Sequence, residues 1–409
     1  MSQGFLSINV TSTLGLIPIS GATIRITSTG NPDTTIETVT TDSSGQTPEL
    51  TLEAPDVQYS ETPEPAEQPY SEYNLQITAP GYEPVYVSGT QILAGTDAIQ
   101  SVEMTPVELE TQTQENIVIP YHTLWGEYPP KIPEDEIKPM DESGEIVLSR
   151  VVIPEYIVVH DGVPQDSAAR NYYVRYKDYI KNVVSSEIYA TWPENAIYAN
   201  ILVILSFTLN RVYTEWYRNQ GYDFTITSST AYDQKWVYGR NIYSNISRLV
   251  DDIFANFLSR PGVRQPIFTS YCNGTTVTCP GLSQWGSKYL GDQGYSPIEI
   301  IRYYYGNDMY INSATSVSGI PSSWPGYDLS IGASGDKVRQ IQQQLNRIAQ
   351  NYPALPRLTV DGIYGSNTAE AVRIFQRIFD LPQSGIVDYP TWFKISDVFV
   401  GVSRISEPT

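Results

Sequence analysis

Apolar and polar residues change rhythm twice along this chain. Up to about residue 105 they alternate in short runs (FLSINV, ATIRIT, YNLQITA, PVYVSG). That period of two buries one face of a strand and leaves the other wet. Clusters of Gly, Pro, Asp and Ser divide the runs, and Ser43–Gly45 and Ala79–Tyr82 have the chemistry of turns. Residues 1–105 therefore read as an all-β sandwich. With no His or Cys in it, the reading is structural or chaperoning.

Between residues 106 and 150 the rhythm is lost. Ten carboxylates face three basic residues from Thr105 to Arg150, and the stretch EYPPKIPEDEIKPMDESGE is rich in proline and acid. This composition predicts a linker or an exposed extended segment, where proteolysis tends to fall. Order returns abruptly with the β-branched SRVVIPEYIVVH.

Residues 151–315 mix both periods and predict an α/β centre. The chain from Tyr172 to Tyr217 reads as two helices meeting at a sharp turn. Tyr176, Tyr179, Val183 and Ile188 give the first helix a buried face, with Glu187 near its end. Thr191 and Glu194 have the spacing of a capping box, and Pro193 suits a first helical turn. The second helix carries Ala196, Ile201, Leu202, Leu205, Leu209 and Val212. Its longest apolar run, Ile201 to Phe207, falls well short of the ~20 residues that cross a bilayer, so it reads as a core helix. A strand at Phe224–Ile226 and a helix over Ile242–Leu258 are predicted next. Gly274, Gly281 and Gly286 then mark loops where the backbone turns tightly or approaches a ligand. Residues 316–328 form a Ser/Pro/Gly linker, and 329–409 a small helical domain. Its first helix carries Val338, Ile341, Leu345 and Ile348; Asn367 and Glu370 are placed to cap its second.

Composition narrows the function. The 409 residues suffice for two to four domains. The net charge of −20, without any dense basic cluster, argues against nucleic acid as a partner. The 31 Tyr and 7 Trp suit a protein that handles sugars, and equally one that uses them in strands. Cys272 and Cys279 allow either a small loop disulfide or free thiols. With His122 and His160 they match no standard zinc spacing. His160, at a strand end, reads as a packing or turn residue. MSQGFLSINV has neither the basic n-region nor the long apolar h-region of a signal peptide.

Two stretches carry family motifs. LSIGASGDKVRQIQQQLN, followed by VDGIYGSNTAEAVRIFQRIFDLPQSGIVDYPTWFKI, resembles the three-helix peptidoglycan-binding domain of wall hydrolases. YIKNVVSSEIYATWPENA resembles the first block of the stage II sporulation protein D family of lytic transglycosylases, and so places that family's catalytic glutamate on Glu187. A second block is matched by Asp233, Gln234, Tyr238 and Gly239, and a third by Gly281, Ser283, Gln284 and Gly286, closing with IIRYYYG at Ile300–Gly306. Where many members have His-Gly before the third block, this chain has Cys279-Pro280. The order of modules resembles the clostridial spore cortex-lytic enzymes. That resemblance implies a zymogen at the coat/cortex boundary of the spore, made without a signal peptide. A subtilisin-like germination protease would cut it near Arg150–Val151, where the composition also breaks.

One carboxylate in a motif block is the number a lytic transglycosylase needs, whereas ordinary glycosidases need two. The resemblance implies that Glu187 protonates the bridging oxygen between N-acetylmuramic acid and N-acetylglucosamine, then accepts the proton of the muramic C6 hydroxyl. Val183, Val184, Ile188 and Trp192 are placed to desolvate it. Gln234, Tyr238, Ser283 and Gln284 are candidates for substrate binding. The resemblance implies no cofactor and no metal. A non-catalytic wall-binding enhancer of an amidase, or a hydrolase or amidase, is the alternative.

Overall fold

The computed structural model describes residues 2–107, 114–138, 150–318 and 324–403. Parts of both expected linkers, 108–113, 139–149 and 319–323, lie outside the described residues.

The alternating runs become two sheets. One orders Asn31–Thr40, Thr23–Ser28, Ser71–Thr78, Val85–Ile92 and Glu115–Val118. In the other, Ser2–Ser12 lies between Leu50–Ala54 and Asp97–Met104, antiparallel to the first and parallel to the second. Leu6, Ile8, Val10, Ile24, Ile26, Leu75, Ile77 and Val87 are fully buried in a common core, as a half-buried strand face requires. The second sheet does not stop at the module boundary. Ile242–Tyr243 of the central region pairs antiparallel with Asp97–Met104.

The centre is mixed α/β. Tyr156–His160 pairs with Asn171–Arg175 and with Ile226–Thr227. The helices Tyr176–Glu187 and Glu194–Tyr213 pack on one another, and the second is buried almost all round, from Ala196 to Tyr213. Its length and apolarity would allow a membrane crossing, but 89% of the relevant window is buried inside the protein. Val152–Ile153 pairs in parallel with Ser316–Val317, so both ends of the central region meet. In the C-terminal region the helices Asp336–Ile348, Ser366–Ile378 and Tyr389–Ser403 enclose Val338, Ile341, Leu345, Phe375 and Trp392.

Several local expectations change. Tyr172–Arg175 is a strand, not the start of the helix, because it completes a ladder with Tyr156–His160. The capping box does not form. Pro193 is the N-cap, and the Thr191 hydroxyl donates to Ser60 Oγ instead, at 2.9 Å. The helix predicted over 242–258 is confined to Ser244–Ile253, with strands Ile242–Tyr243 and Asn256–Ser259 on either side. Asn367 and Glu370 make no cap; Gly365 precedes that helix, and Glu370 pairs with Arg373. The stretch 106–150, in its described parts, is not free-standing. Glu115–Val118 adds a parallel strand to Val85–Ile92, and residues 120–138 run over the central region.

Candidate active site

Glu187 is the last residue of its helix and 4% exposed. Three donors converge on its carboxylate. The Lys235 backbone N–H reaches Oε1 at 2.8 Å, the Tyr271 hydroxyl reaches Oε1 at 3.0 Å, and Gln284 Nε2 reaches Oε2 at 3.1 Å. Gln284 Nε2 also lies 3.1 Å from the Glu187 carbonyl, so one amide fixes both ends of the residue. The apolar neighbours expected from sequence, Val183, Val184, Ile188 and Trp192, are buried. The carboxylate itself, however, meets donors. The three motif blocks thus come together at one atom group.

Each block is positioned by its local chain. In the third, the Ser283 hydroxyl accepts from the Gly286 N–H at 2.9 Å and caps the helix Gln284–Asp292, which aims Gln284 inward. Gly274 sits at φ +81° with room for no side chain; a Cβ there would lie 1.8 Å from Ser283 Oγ. Cys272 and Cys279 form a disulfide that closes the loop after Tyr271. In the second block Gln234 is fully buried behind Glu187. Its amide donates to Ile204 O, and its oxygen accepts from the Tyr179 and Thr208 hydroxyls. That leaves Gln234 a framework part in this state rather than a lining one. Tyr238 is 39% exposed, stacks on Tyr172 at 4.8 Å and donates to Glu115 Oε1.

Other acids of the central domain are placed elsewhere. Asp233 is fully buried and accepts from Arg211 Nε, the Tyr217 hydroxyl, and the Thr227 N–H and hydroxyl. Asp161 accepts from Ser228 and Asp223 from Asn171. Glu194 opens the second helix. His160 stacks on Phe224 at 4.4 Å and pairs with Asn171, a packing position.

The stretch 120–138 crosses this site. His122 Nε2 pairs with Ile188 O at 3.2 Å, and the Thr123 hydroxyl donates to Ser186 O at 2.9 Å, so the carbonyls on both sides of Glu187 are taken. The His122 ring stacks on Tyr189 at 4.4 Å; burial pushes its pKa well below the ordinary histidine value. Lys131 donates to Asp233 O, and its ammonium lies 4.5 Å from the centre of the Tyr271 ring. Burial lowers the Lys131 pKa, while the nearby Glu187 and Asp233 charges oppose that shift. The Ile132 N–H donates to Ala231 O at 2.7 Å. Glu134 grips Arg211 with both oxygens, Glu136 grips Arg260, and Lys138 exchanges two hydrogen bonds with Gln265.

The β-module buttresses the same region. Gln91 accepts from buried Arg240 at 2.6 Å and bonds Asn241 through its backbone, directly after Tyr238-Gly239. Ser60 O accepts from the Trp192 ring N–H at 2.9 Å, beyond Glu187 on the other side. Tyr271, the Lys235 N–H, Lys131 and Arg211 were not found from sequence. The one available signal was that Tyr271 immediately precedes the cysteine loop of the third block.

Arg150 is exposed, whereas Val151 is 9% exposed and leads into the paired strand Val152–Ile153.

Comparison with known proteins identifies two domains. Residues 165–252 match the family model described as Stage II sporulation protein, and residues 334–395 match a putative peptidoglycan binding domain. No curated protein matches. Among solved structures, the Bacillus anthracis TIE protein is 18% identical, with 26% of this chain and 17% of that chain covered and a TM-score of 0.18. GBS52, the minor pilin in the gram-positive pathogen Streptococcus agalactiae, is 15% identical, with 27% and 47% covered and a TM-score of 0.19. This chain therefore spans less than half of either, and neither likeness carries an argument. The chain joins a stage II sporulation protein D-like central domain to a C-terminal peptidoglycan-binding domain, an architecture that supports a cell-wall lytic role in sporulation.

Proposed function

We propose that this protein is a lytic transglycosylase of spore cortex peptidoglycan, made as a zymogen. The observation that supports this most is the convergence of three motif blocks on the single carboxylate of Glu187. As an acid, Glu187 gives its proton to the bridging oxygen between N-acetylmuramic acid and N-acetylglucosamine. As a carboxylate, it then takes the proton of the muramic C6 hydroxyl while that oxygen bonds to C1. The proton account closes with one residue, no water is consumed, and a 1,6-anhydro end results. A two-carboxylate hydrolysis has less support, because both Asp233 oxygens are engaged by Arg211 and three further donors.

Gln284 and Tyr271 hold the acid in place. Tyr238, which is partly exposed, and Ser283 are the proposed sugar contacts, with Gln234 as part of the buried framework. The segment 120–138 occupies the approach to Glu187, so the intact chain is the inactive form. A subtilisin-like germination protease cutting near Arg150–Val151 would sever that segment from the domain it covers. The working location is the spore, at the coat/cortex boundary. Mass spectrometry of cortex digested by the cut protein tests the reading. 1,6-Anhydromuramic ends are expected, with far fewer from the intact chain; reducing ends alone, or release of peptides alone, would contradict it.

A further inference from the structure

The covering segment carries two carboxylates two residues apart, and in extended chain such residues share a face. Each meets an arginine of the central domain. Glu134 binds Arg211 through both oxygens, at 2.9 Å to Nη1 and 2.6 Å to Nη2. Glu136 binds Arg260 likewise, through Nε and, at 2.9 Å, Nη2. Behind each guanidinium the central domain supplies its own fixtures. Asp233 holds Arg211 Nε at 2.7 Å and Tyr232 O takes Nη2. Asp308 holds Arg260 Nη1 and Tyr305 O takes Nη2 at 2.8 Å. Both arginines are therefore oriented without the segment, and each turns a fork toward it.

We propose that Arg211 and Arg260 are a carboxylate-binding pair for substrate, and that Glu134 and Glu136 occupy it in the intact chain. When the segment leaves, Arg211 (fully buried here) loses both Glu134 oxygens, with Nη1 left without an acceptor and Nη2 keeping only Tyr232 O. A buried donor without a partner is costly, and a bidentate fork is satisfied best by another carboxylate. The ligand class is thus a glycan bearing free carboxylates, on the lactyl group or on stem peptides. Arg211 lies close to the acid: it bonds Asp233, and Lys235, two residues on, donates to Glu187. This inference rests on the reading of peptidoglycan as substrate and adds a chemical requirement to it.

The test uses the full chain carrying E134Q and E136Q and cut after Arg150, so that the segment is both loosened and severed. Binding of soluble glycan-peptide fragments is measured by calorimetry, with their carboxylates free or amidated by carbodiimide coupling. Free fragments should bind at least roughly tenfold tighter than amidated ones. Adding R260Q should remove that difference, and R260K should restore part of it. Equal binding of the two fragments, no binding, or an R260Q loss that is the same for both fragments would overturn the proposal, leaving the arginines as anchors for the segment alone. Products are scored separately on the same cut chain without the added arginine changes. Anhydro ends with carboxylate-indifferent binding sink only this inference. Carboxylate-dependent binding without anhydro ends sinks only the transglycosylase reading.

Discussion

The two outer modules are attached to the centre in different ways. The N-terminal module shares a sheet with it through Ile242–Tyr243, places Gln91 on Arg240 and Asn241, and extends residues 120–138 past Glu187. The C-terminal module touches the far side. Asp397 pairs with Arg175, while Tyr389 and Phe393 pack on Phe254. One attachment reaches the chemistry and the other does not. On the proposed function, the first would regulate access and the second would anchor the protein to the wall.

Breaking the covering contacts gives the largest effect. Removing one partner of a buried, bidentate ion pair costs about 3–5 kcal/mol; Glu134–Arg211 is such a contact, and the more exposed Glu136–Arg260 adds about 0–1 kcal/mol. The intact chain carrying E134Q and E136Q should release anhydro fragments at a rate approaching that of cut protein, at least tenfold above the intact wild type. A rate equal to the intact wild type would show that the segment does not guard the site.

Q91A comes next. It removes the acceptor 2.6 Å from Nη2 of the buried Arg240, whose Nε keeps Asn241 O. A loss of about 1–3 kcal/mol is expected for a buried donor left unpaired. Thermal unfolding of the intact chain should show it, and activity of the cut chain should change little.

Acidity offers a gentler probe. Burial alone would raise the Glu134 pKa, but hydrogen bonding to Arg211, the Arg211 charge and Lys138 outweigh it, so docking holds the carboxyl below its ordinary 4.5. A depressed acid stabilises docking above its undocked pKa and loses that contribution as pH falls through the docked value. Lys131 adds the same sense at the other end, since its lowered pKa makes docking more favourable as pH rises toward 10.5. Protease protection of residues 120–138 should therefore weaken as pH falls below about 4.5. Protection that is flat with pH would exclude these pairs as the latch.

The smallest effect belongs to the C-terminal contact. Arg175 and Asp397, each about 20% exposed, pair at the opposite end of the helix from Glu187, so their loss bears on stability and not on access. D397N should leave the activity of both intact and cut chains within twofold. A larger gain in the intact chain would make this module a second guard.

Much of the framework was legible in sequence because it depends on local periodicity. The alternating runs, the apolar helix Glu194–Tyr213 and the stripe Val338, Ile341, Leu345 and Ile348 follow from burial of one face. Glu187 and Gln284 were legible as motif residues, and the structure brings them together. What stayed hidden depends on distant pairing. Nothing near Ile242 announces that it will leave a helix to join a strand 143 residues earlier, at Ile99. The acidic, proline-rich composition of 106–150 looks solvent-loving, yet Glu134 and Glu136 meet arginines from elsewhere in the chain. Charge that is paired across the fold reads, in sequence, like charge left in water. Gln234 shows the converse, a polar motif residue whose hydrogen bonds are all spent inside.

The central claim is that one carboxylate performs the cleavage once the segment is cut away. Its direct measurement is the yield of 1,6-anhydromuramic ends from cortex treated with cut wild-type protein and with cut E187Q. The Gln side chain preserves the contact with Lys235 or Tyr271 in shape but cannot give up a proton. A fall of roughly 10²–10⁴-fold in anhydro ends, with wall binding unchanged, is the predicted result. Undiminished anhydro ends from E187Q would contradict the account.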